Sequence, residues 1–431
     1  MIALLALSLA AAAPDTAGPL LTSAEARRIG LEANLAMRGN RLQTEIASHQ
    51  ARASLGGLLP TVNFTSTASR VGPNFANDVH TGNPVTSSYG VDDQWTAVVS
   101  AQWAFLNPGT WYQWHAYEAQ ERSSKAHVNG QEQQLAYAID QAYYDVVRQQ
   151  ALLSAQLDAL AVSQRRRDIA RVHREVGTGS LLELRQAQLT ANADSSALLS
   201  QEATLALSRR SLNVLLARSA ESLYHVADTI PVSDPGDSAA LWSEALRRSS
   251  GIAELDARLE AYRAQVHANA ASAYLPTLSA FSNYEFLNRW NDPSTANAHW
   301  QGFAFGLTLS VPIYAGGSQN AQLEVARATL RQTELVREDS IQQLQKSFSQ
   351  AWTVWKQARA VMNLEESNLV LADSTLATGL GQYAAGTVSG IDLRTTQELN
   401  QQARARRITA RYAARTASQQ LLLITSRELA P

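Results

Sequence analysis

Two similar stretches decide how this sequence is organised: GTGSLLELRQAQ at Gly177–Gln188 and GTVSGIDLRTTQ at Gly386–Gln397. Six of the twelve aligned positions are identical, and the second stretch begins 209 residues after the first, at 386 rather than 177. Each opens on a glycine after a long helical pattern, where glycine favours the left-handed backbone that ends a helix. The serine three residues later, with an acidic residue three further on, is typical of a helix N-cap. Each stretch therefore predicts a tight turn between two helices.

The segments around the two turns also correspond. Leu-Pro-Thr occurs at 59–61 and 275–277, and QAYYDVV at 141–147 aligns with QAWTVWK at 350–356 at the same offset. We interpret the chain as a tandem duplication. The predicted first repeat covers residues 20–218, with its tip at 177–180. A linker or equatorial segment covers 219–238, and the second repeat covers 239–425, with its tip at 386–389.

The positions of proline predict very long helices. Residues 109–230 and 313–430 contain no proline and are rich in Ala, Gln, Leu, Glu and Arg, which favour helices. A helix from about Thr110 to Val176 would be roughly 100 Å long. An ordinary globular core does not need helices of that length.

Each repeat also contains one predicted β-hairpin, at 59–106 and at 275–313, with strands of roughly ten to twelve residues. Apolar residues alternate with polar ones in four segments: Val62 and Phe64; Trp95, Ala97, Val99, Ala101, Trp103 and Phe105; Leu278, Ala280, Tyr284 and Phe286; Phe303, Phe305, Leu307, Leu309, Val311 and Ile313. Such strands fit either a transmembrane β-barrel or a small sheet packed on a soluble core. Four strands cannot close a barrel, so the first interpretation requires several subunits.

The composition narrows the classes of function. The net charge of −2 gives no indication of a nucleic-acid partner, and the absence of cysteine excludes disulfides and thiolate metal sites. The eight histidines form no HxH or HxxxH pair, and no nucleophile elbow or phosphate-binding loop occurs. The sequence therefore predicts no metal site, no cofactor and no enzymatic activity.

The N-terminus has an apolar run from Ile2 to Ala13 followed by small residues. This pattern predicts a secretory signal peptide over residues 1–17. No Lys or Arg precedes the run, and a buried N-terminal helix is the alternative.

The signal peptide, duplicated hairpins, Leu-Pro-Thr strand starts and paired tips EVGTGSLLEL and AAGTVSGIDL resemble the TolC-type outer-membrane efflux channels. The resemblance covers about Leu20 to Thr425. It implies a mostly α-helical fold with a small β part. Tandem long-helix hairpins would form a trimeric α-barrel, and each subunit would contribute four strands to a shared twelve-stranded transmembrane β-barrel. It also implies a location in the outer membrane of a Gram-negative bacterium, extending into the periplasm. The partners that it implies are two identical subunits, membrane lipid, a periplasmic adaptor (membrane fusion) protein and an inner-membrane pump.

The resemblance also suggests site residues. It implies that the tips dock an adaptor through Gly177, Thr178, Gly179, Ser180, Gly386, Thr387 and Ser389. Tyr383 and Asp392 match positions that line or latch a periplasmic constriction. The sequence departs from that pattern at Val388, where the resemblance implies a latch arginine, and at Thr395, where it implies a second aspartate. Arg394 offsets the charge of Asp392 if it points towards it.

Two further groups have alternative interpretations. Trp111, Trp114 and Tyr117 fit an aromatic belt at a membrane interface or packing between helices. A basic group near the end of the first long helix fits a solvated face or an adaptor-facing patch: Arg165, Arg166, Arg167, Arg171 and Arg174. For the whole chain, the alternative to a channel is a periplasmic coiled-coil adaptor or scaffold with no transmembrane part.

Overall fold

The structure, a computed structural model, describes residues 20–71, 76–77, 84–85, 92–227, 229–290 and 298–427. The predicted signal peptide and the far ends of both predicted hairpins lie outside these ranges. The described elements follow in this order: β1 Leu20–Leu21, α1 Ser23–Ala33, α2 Leu35–Gly56, β2 Thr61–Val71, β3 Ala76–Asn77, β4 Pro84–Val85, β5 Asp92–Leu106, α3 Pro108–Glu175, α4 Leu181–Leu215, β6 His225–Val226, α5 Ser238–Arg248, α6 Ser250–Tyr274, β7 Thr277–Trp290, β8 Ala298–Ser310, α7 Ser318–Ala384 and α8 Gly390–Ile424.

The chain forms two compact units. The first, the helical unit, comprises the described residues within 1–42, 126–253 and 339–431. The second, the sheet unit, comprises those within 43–125 and 254–338.

The sheet unit is built on four antiparallel strands in the order β2-β5-β7-β8. β2 and β7 both begin directly after a proline, at Thr61 and Thr277, because proline cannot donate a ladder hydrogen bond but is tolerated at a strand start. The strands contain 11, 15, 14 and 13 residues, so most of them are longer than the sequence predicted.

One face of this sheet is apolar across all four strands and is exposed. The register places Phe64, Val99, Tyr284 and Phe303 in one row across the sheet. On the outer strand β8, Phe305 is 75% exposed, so the alternative interpretation, a sheet packed on a soluble core, does not describe the isolated chain. No helix within the described ranges is long and apolar enough to span a bilayer.

In the helical unit, α3 contacts both α4 and α8, and α8 also contacts α7. The Ser163 hydroxyl donates to Asp194, which joins α3 to α4. Arg404 on α8 pairs with Asp158 on α3 at 2.9 Å and with Asp373 on α7 at 3.1 Å. Arg394 on α8 also lies 3.6 Å from Asp194 on α4, so the four helices contact one another on more than one side.

Two apolar clusters stabilise the helical unit where the middle parts of α3 and α7 meet other elements. One is centred on Ile139, Tyr143 and Leu212, and the other on Trp355 and Leu421. The phenol of Tyr143 donates to the carbonyl of Leu21 at 2.9 Å and accepts from the amide of Ala227. This places the short parallel pair of β1 and β6 against α3.

Candidate functional site

The first helix tip is a glycine-terminated turn. Gly177 has φ of 85°, the left-handed conformation that ends α3. The backbone amide of Thr178 donates to the carbonyl of His173 at 2.9 Å, and the Thr178 hydroxyl donates to the same oxygen. Ser180 then caps α4 by accepting from the amide of Glu183 at 3.0 Å. The predicted turn and cap are both confirmed.

The second tip repeats this geometry. Gly386 has φ of 76°, and both the amide and the hydroxyl of Thr387 donate to the carbonyl of Gln382 at 3.0 Å. Ser389 caps α8 by accepting from the amide of Asp392 at 3.2 Å, and its hydroxyl donates to the Asp392 carboxylate at 2.7 Å. The threonine after each glycine therefore donates two hydrogen bonds, from its amide and its hydroxyl, to one carbonyl at the end of the preceding helix.

The two tips differ where glycine is replaced by valine. The amide of Gly179 also donates to the His173 carbonyl, at 2.8 Å. A Cβ at Gly179 would lie 2.9 Å from Cβ of His173, closer than ordinary contact allows. The second tip has Val388 at the corresponding position. The backbone of the first tip therefore lies against the end of α3, and a side chain at position 179 would prevent this contact.

A hydrogen bond joins the two hairpins beside the tips. The phenol of Tyr383, near the end of α7, donates to Oε1 of Glu183, in the first turn of α4, at 2.8 Å. Tyr383 is only 3% exposed, and the neighbouring Arg166 from α3 is only 4% exposed. The phenol is therefore buried while Glu183 is half-buried, and a hydrogen bond to a charged group is strong where water is partly excluded.

The surroundings of Tyr383 raise its pKa to about 12. Burial is the main cause, followed by the hydrogen bond and the negative charge of Glu183, while Arg166 acts in the opposite direction. Tyr383 is therefore a neutral hydrogen-bond donor at physiological pH.

Gly390 brings the fourth helix to this site. A Cβ at this first residue of α8 would lie 3.2 Å from Oε1 of Glu183, 3.3 Å from Nη2 of Arg166 and 3.6 Å from Cε2 of Tyr383. Side chains of α3, α4 and α7 thus meet against the backbone of α8. We call Arg166, Glu183, Tyr383 and Gly390 the tip junction.

Asp392 lies outside the tip junction. Its side chain is exposed and faces an open groove with Thr378 and Gln382 of α7. Arg394 does not pair with it: the guanidinium contacts Glu398 at 2.7 Å and Asp194 at 3.6 Å. The charge of Asp392 is therefore not offset by Arg394.

Sequence reasoning missed two residues of the tip junction. Glu183 was identified only as a capping residue, although the 209-residue offset makes it the counterpart of Asp392. Arg166 was placed in a basic group that fits a solvated face or an adaptor-facing patch, and the first interpretation is wrong for Arg166 because its side chain is buried. By contrast, Arg165, Arg171 and Arg174 are exposed.

Thr395, where a second aspartate was implied, donates to the Ile391 carbonyl within α8.

The aromatic group after β5 packs around a histidine. The rings of Trp111 and Trp114 lie 4.2 Å and 4.6 Å from the ring of His115. Trp111 nevertheless remains 46% exposed. These ring contacts lie within α3 itself and leave part of the Trp111 surface uncovered.

The family model described as "Outer membrane efflux protein" matches residues 29–218 and 241–427. The chain is 22% identical over 297 residues to the outer membrane efflux protein BepC of Brucella suis biovar 1 (strain 1330). That match covers 65% of this chain and 61% of BepC, so the alignment spans less than two thirds of that relative.

Two solved structures have a similar fold. CusC superposes with a TM-score of 0.79 at 18% identity, covering 94% of this chain and 91% of CusC. The outer membrane protein VceC of Vibrio cholerae superposes with a TM-score of 0.78 at 16% identity, covering 95% of this chain and 97% of VceC. At such identities the likeness establishes the fold alone.

Proposed function

The chain belongs to the outer membrane efflux protein family, and we propose that it is the outer-membrane channel of a tripartite efflux or type I secretion system. It lies in the outer membrane and extends into the periplasm. In this role it is a passive conduit that catalyses no reaction, docked to a periplasmic adaptor and an inner-membrane pump.

The observation that carries the proposal is the exposed apolar face of the four-stranded sheet. Its outer strands, β2 and β8, each have a described neighbour on one side only. An apolar face needs lipid or protein to cover it, and open strand edges cannot face lipid. Three copies joined edge to edge would satisfy both requirements as a twelve-stranded barrel with its apolar face outward.

Exposed aliphatic side chains of the helical unit support the same trimer. α4 and α7 each expose a row of aliphatic side chains at helical spacing: Leu182, Leu189, Leu207 and Val214 on α4, and Val354, Val361, Leu364 and Leu371 on α7. In a cyclic trimer, α4 of one copy would meet α7 of the next. This heterologous contact buries both rows and closes the ring.

The tips fit an adaptor-docking surface. Aliphatic side chains beside the two turns are exposed: Val176, Leu181 and Ile391. They surround the turn residues Gly177, Thr178, Gly179 and Ser180 in the first repeat and Gly386, Thr387 and Ser389 in the second. A helical hairpin with apolar side chains at its end would bury this surface.

The two repeats, 20–218 and 239–425, contribute different residues to the proposed constriction. Tyr383 ties the second hairpin to the first through Glu183 and so favours the closed arrangement. Asp392 supplies a charge that threefold symmetry would repeat around the axis. The constriction opens when docking of the adaptor separates the hairpins.

The proposal is tested by purifying the full-length protein from isolated outer membranes in detergent, followed by native mass spectrometry and planar-bilayer recording. A trimer that conducts ions is expected. A water-soluble monomer without conductance would instead support the periplasmic adaptor or scaffold.

A further inference from the structure

Two aromatic rings lie along the polar face of the sheet, opposite the apolar face. The indole of Trp300 covers Gly302, so that a Cβ added there would overlap its six-membered ring. The ring of Phe281 covers Gly306, where an added Cβ would lie 2.9 Å from Cε1 and Cζ. The two glycines of β8 therefore allow the rings to lie against the strand.

A carboxylate lies beside the indole. Glu285 on β7 pairs directly with Gly302 on β8, the residue that Trp300 covers. Directly opposed residues in an antiparallel sheet have neighbouring side-chain positions. On its other side, Glu285 pairs with Val98 of β5.

Glu285 is not neutralised by its surroundings. Of the residues that the structure describes, none forms an ion pair or a side-chain hydrogen bond with it. Arg289, on the same face of β7, is four residues away, about 13 Å along the strand. The polar face of β2 from Thr61 to Ser69 and that of β5 from Gln94 to Gln102 carry no charge.

We propose that Trp300 and Glu285 form a binding site for organic cations that carry an aromatic ring. The indole face attracts a cation through its quadrupole and stacks with a ring, and the carboxylate supplies the opposite charge. A lone carboxylate is too few ligands for a metal ion. The site rests on the proposed function, since only the barrel turns this face towards the conduit and gives three such sites per trimer.

Benzyltrimethylammonium is the probe. Its block of single-channel current is measured in planar bilayers, and its binding to the detergent-solubilised trimer is measured by calorimetry. We expect reversible block and binding that weaken with added salt. We also expect weaker effects from tetramethylammonium, which lacks the ring, and none from benzenesulfonate, which has the wrong charge.

Three variants locate the site. Glu285→Gln and Trp300→Leu are each expected to weaken binding about threefold to fivefold. Gly302→Ala, which displaces the indole, should give a similar loss. Trp95→Leu, on the opposite face of the same sheet, is the matched control and should bind as the parent does. Normal conductance in the absence of probe verifies that each variant is assembled.

The outcomes separate this site from the channel itself. A conducting trimer that does not bind the probe, or that binds it equally well after Glu285→Gln, overturns the site and leaves the channel proposal standing. If the parent protein conducts no ions in planar bilayers, the channel proposal is overturned. Calorimetric binding that depends on Glu285 and Trp300 would then still support the site.

Discussion

The phenol of Tyr383 donates a 2.8 Å hydrogen bond to Glu183, although 200 residues separate them in the sequence. The counterpart of Glu183 in the second repeat is Asp392, which is exposed and has no such tyrosine partner within the described residues. The two tips thus have acidic residues at equivalent helix starts. Only the first of them is bound to the neighbouring hairpin.

Tyr383→Phe should therefore shift the proposed constriction towards its open arrangement. The substitution leaves the ring and removes the donor to Glu183. A hydrogen bond to a charged group contributes about 1.5–3 kcal/mol, so the ratio of open to closed channels should rise by at least about tenfold. Single-channel conductance and open probability in planar bilayers measure the change.

Tyr412→Phe is the matched control for this variant. Its phenol lies on α8, and its one hydrogen bond to a described residue is a long contact of 3.5 Å to the Gln141 carbonyl. Open probability should stay at the parent value. If Tyr383→Phe is equally silent, the hydrogen bond does not hold the constriction closed.

The raised pKa of Tyr383 predicts a late tyrosine titration. The folded protein favours the neutral phenol, so its contribution to stability is fully present below pH 10.0, the ordinary pKa, and is lost as the pH rises towards about 12. The difference in tyrosinate absorbance between the parent and Tyr383→Phe should show a midpoint near pH 12. A midpoint near 10 would mean that Tyr383 is solvated rather than buried against Glu183.

The turns and strands could be predicted because the signals for them are local. Gly177 and Gly386 needed only a helical pattern before them and a serine cap after them. The strand faces followed from period-two alternation around residues such as Val99 and Phe305. In both cases the deciding interactions lie within a few residues or within one face.

The tip junction could not be predicted in the same way. Arg166 looks like part of a solvated basic run, and only the packing of four helices buries it. The direction of Arg394 depends on Asp194, 200 residues earlier, and on Glu398. Such choices between ion-pair partners are made by tertiary contacts. The sequence signal for the tip junction was the 209-residue offset between the two stretches, which makes Glu183 the counterpart of Asp392.

Asp392→Asn should lower the preference of the channel for cations. Three exposed carboxylates around the axis of a trimer would attract cations, and the amide keeps the size of the side chain while removing its charge. The reversal potential under a potassium chloride gradient should move towards zero. Asp168→Asn is the control, because Asp168 already pairs with Arg167 at 3.0 Å. An unchanged reversal potential in Asp392→Asn would place this residue away from the ion path.

Phe305→Arg should prevent assembly in the membrane, whereas Ala304→Arg should not. The two positions are adjacent on β8, but Phe305 lies on the exposed apolar face and Ala304 on the polar face. A charged side chain facing the middle of a bilayer costs about 2–4 kcal/mol per site, and a trimer has three such sites. The amount of trimer in isolated outer membranes, seen on unheated gels, should therefore fall sharply for Phe305→Arg and remain near the parent level for Ala304→Arg. Equal trimer levels in both variants would show that the apolar face does not contact lipid, and the barrel would have to be abandoned.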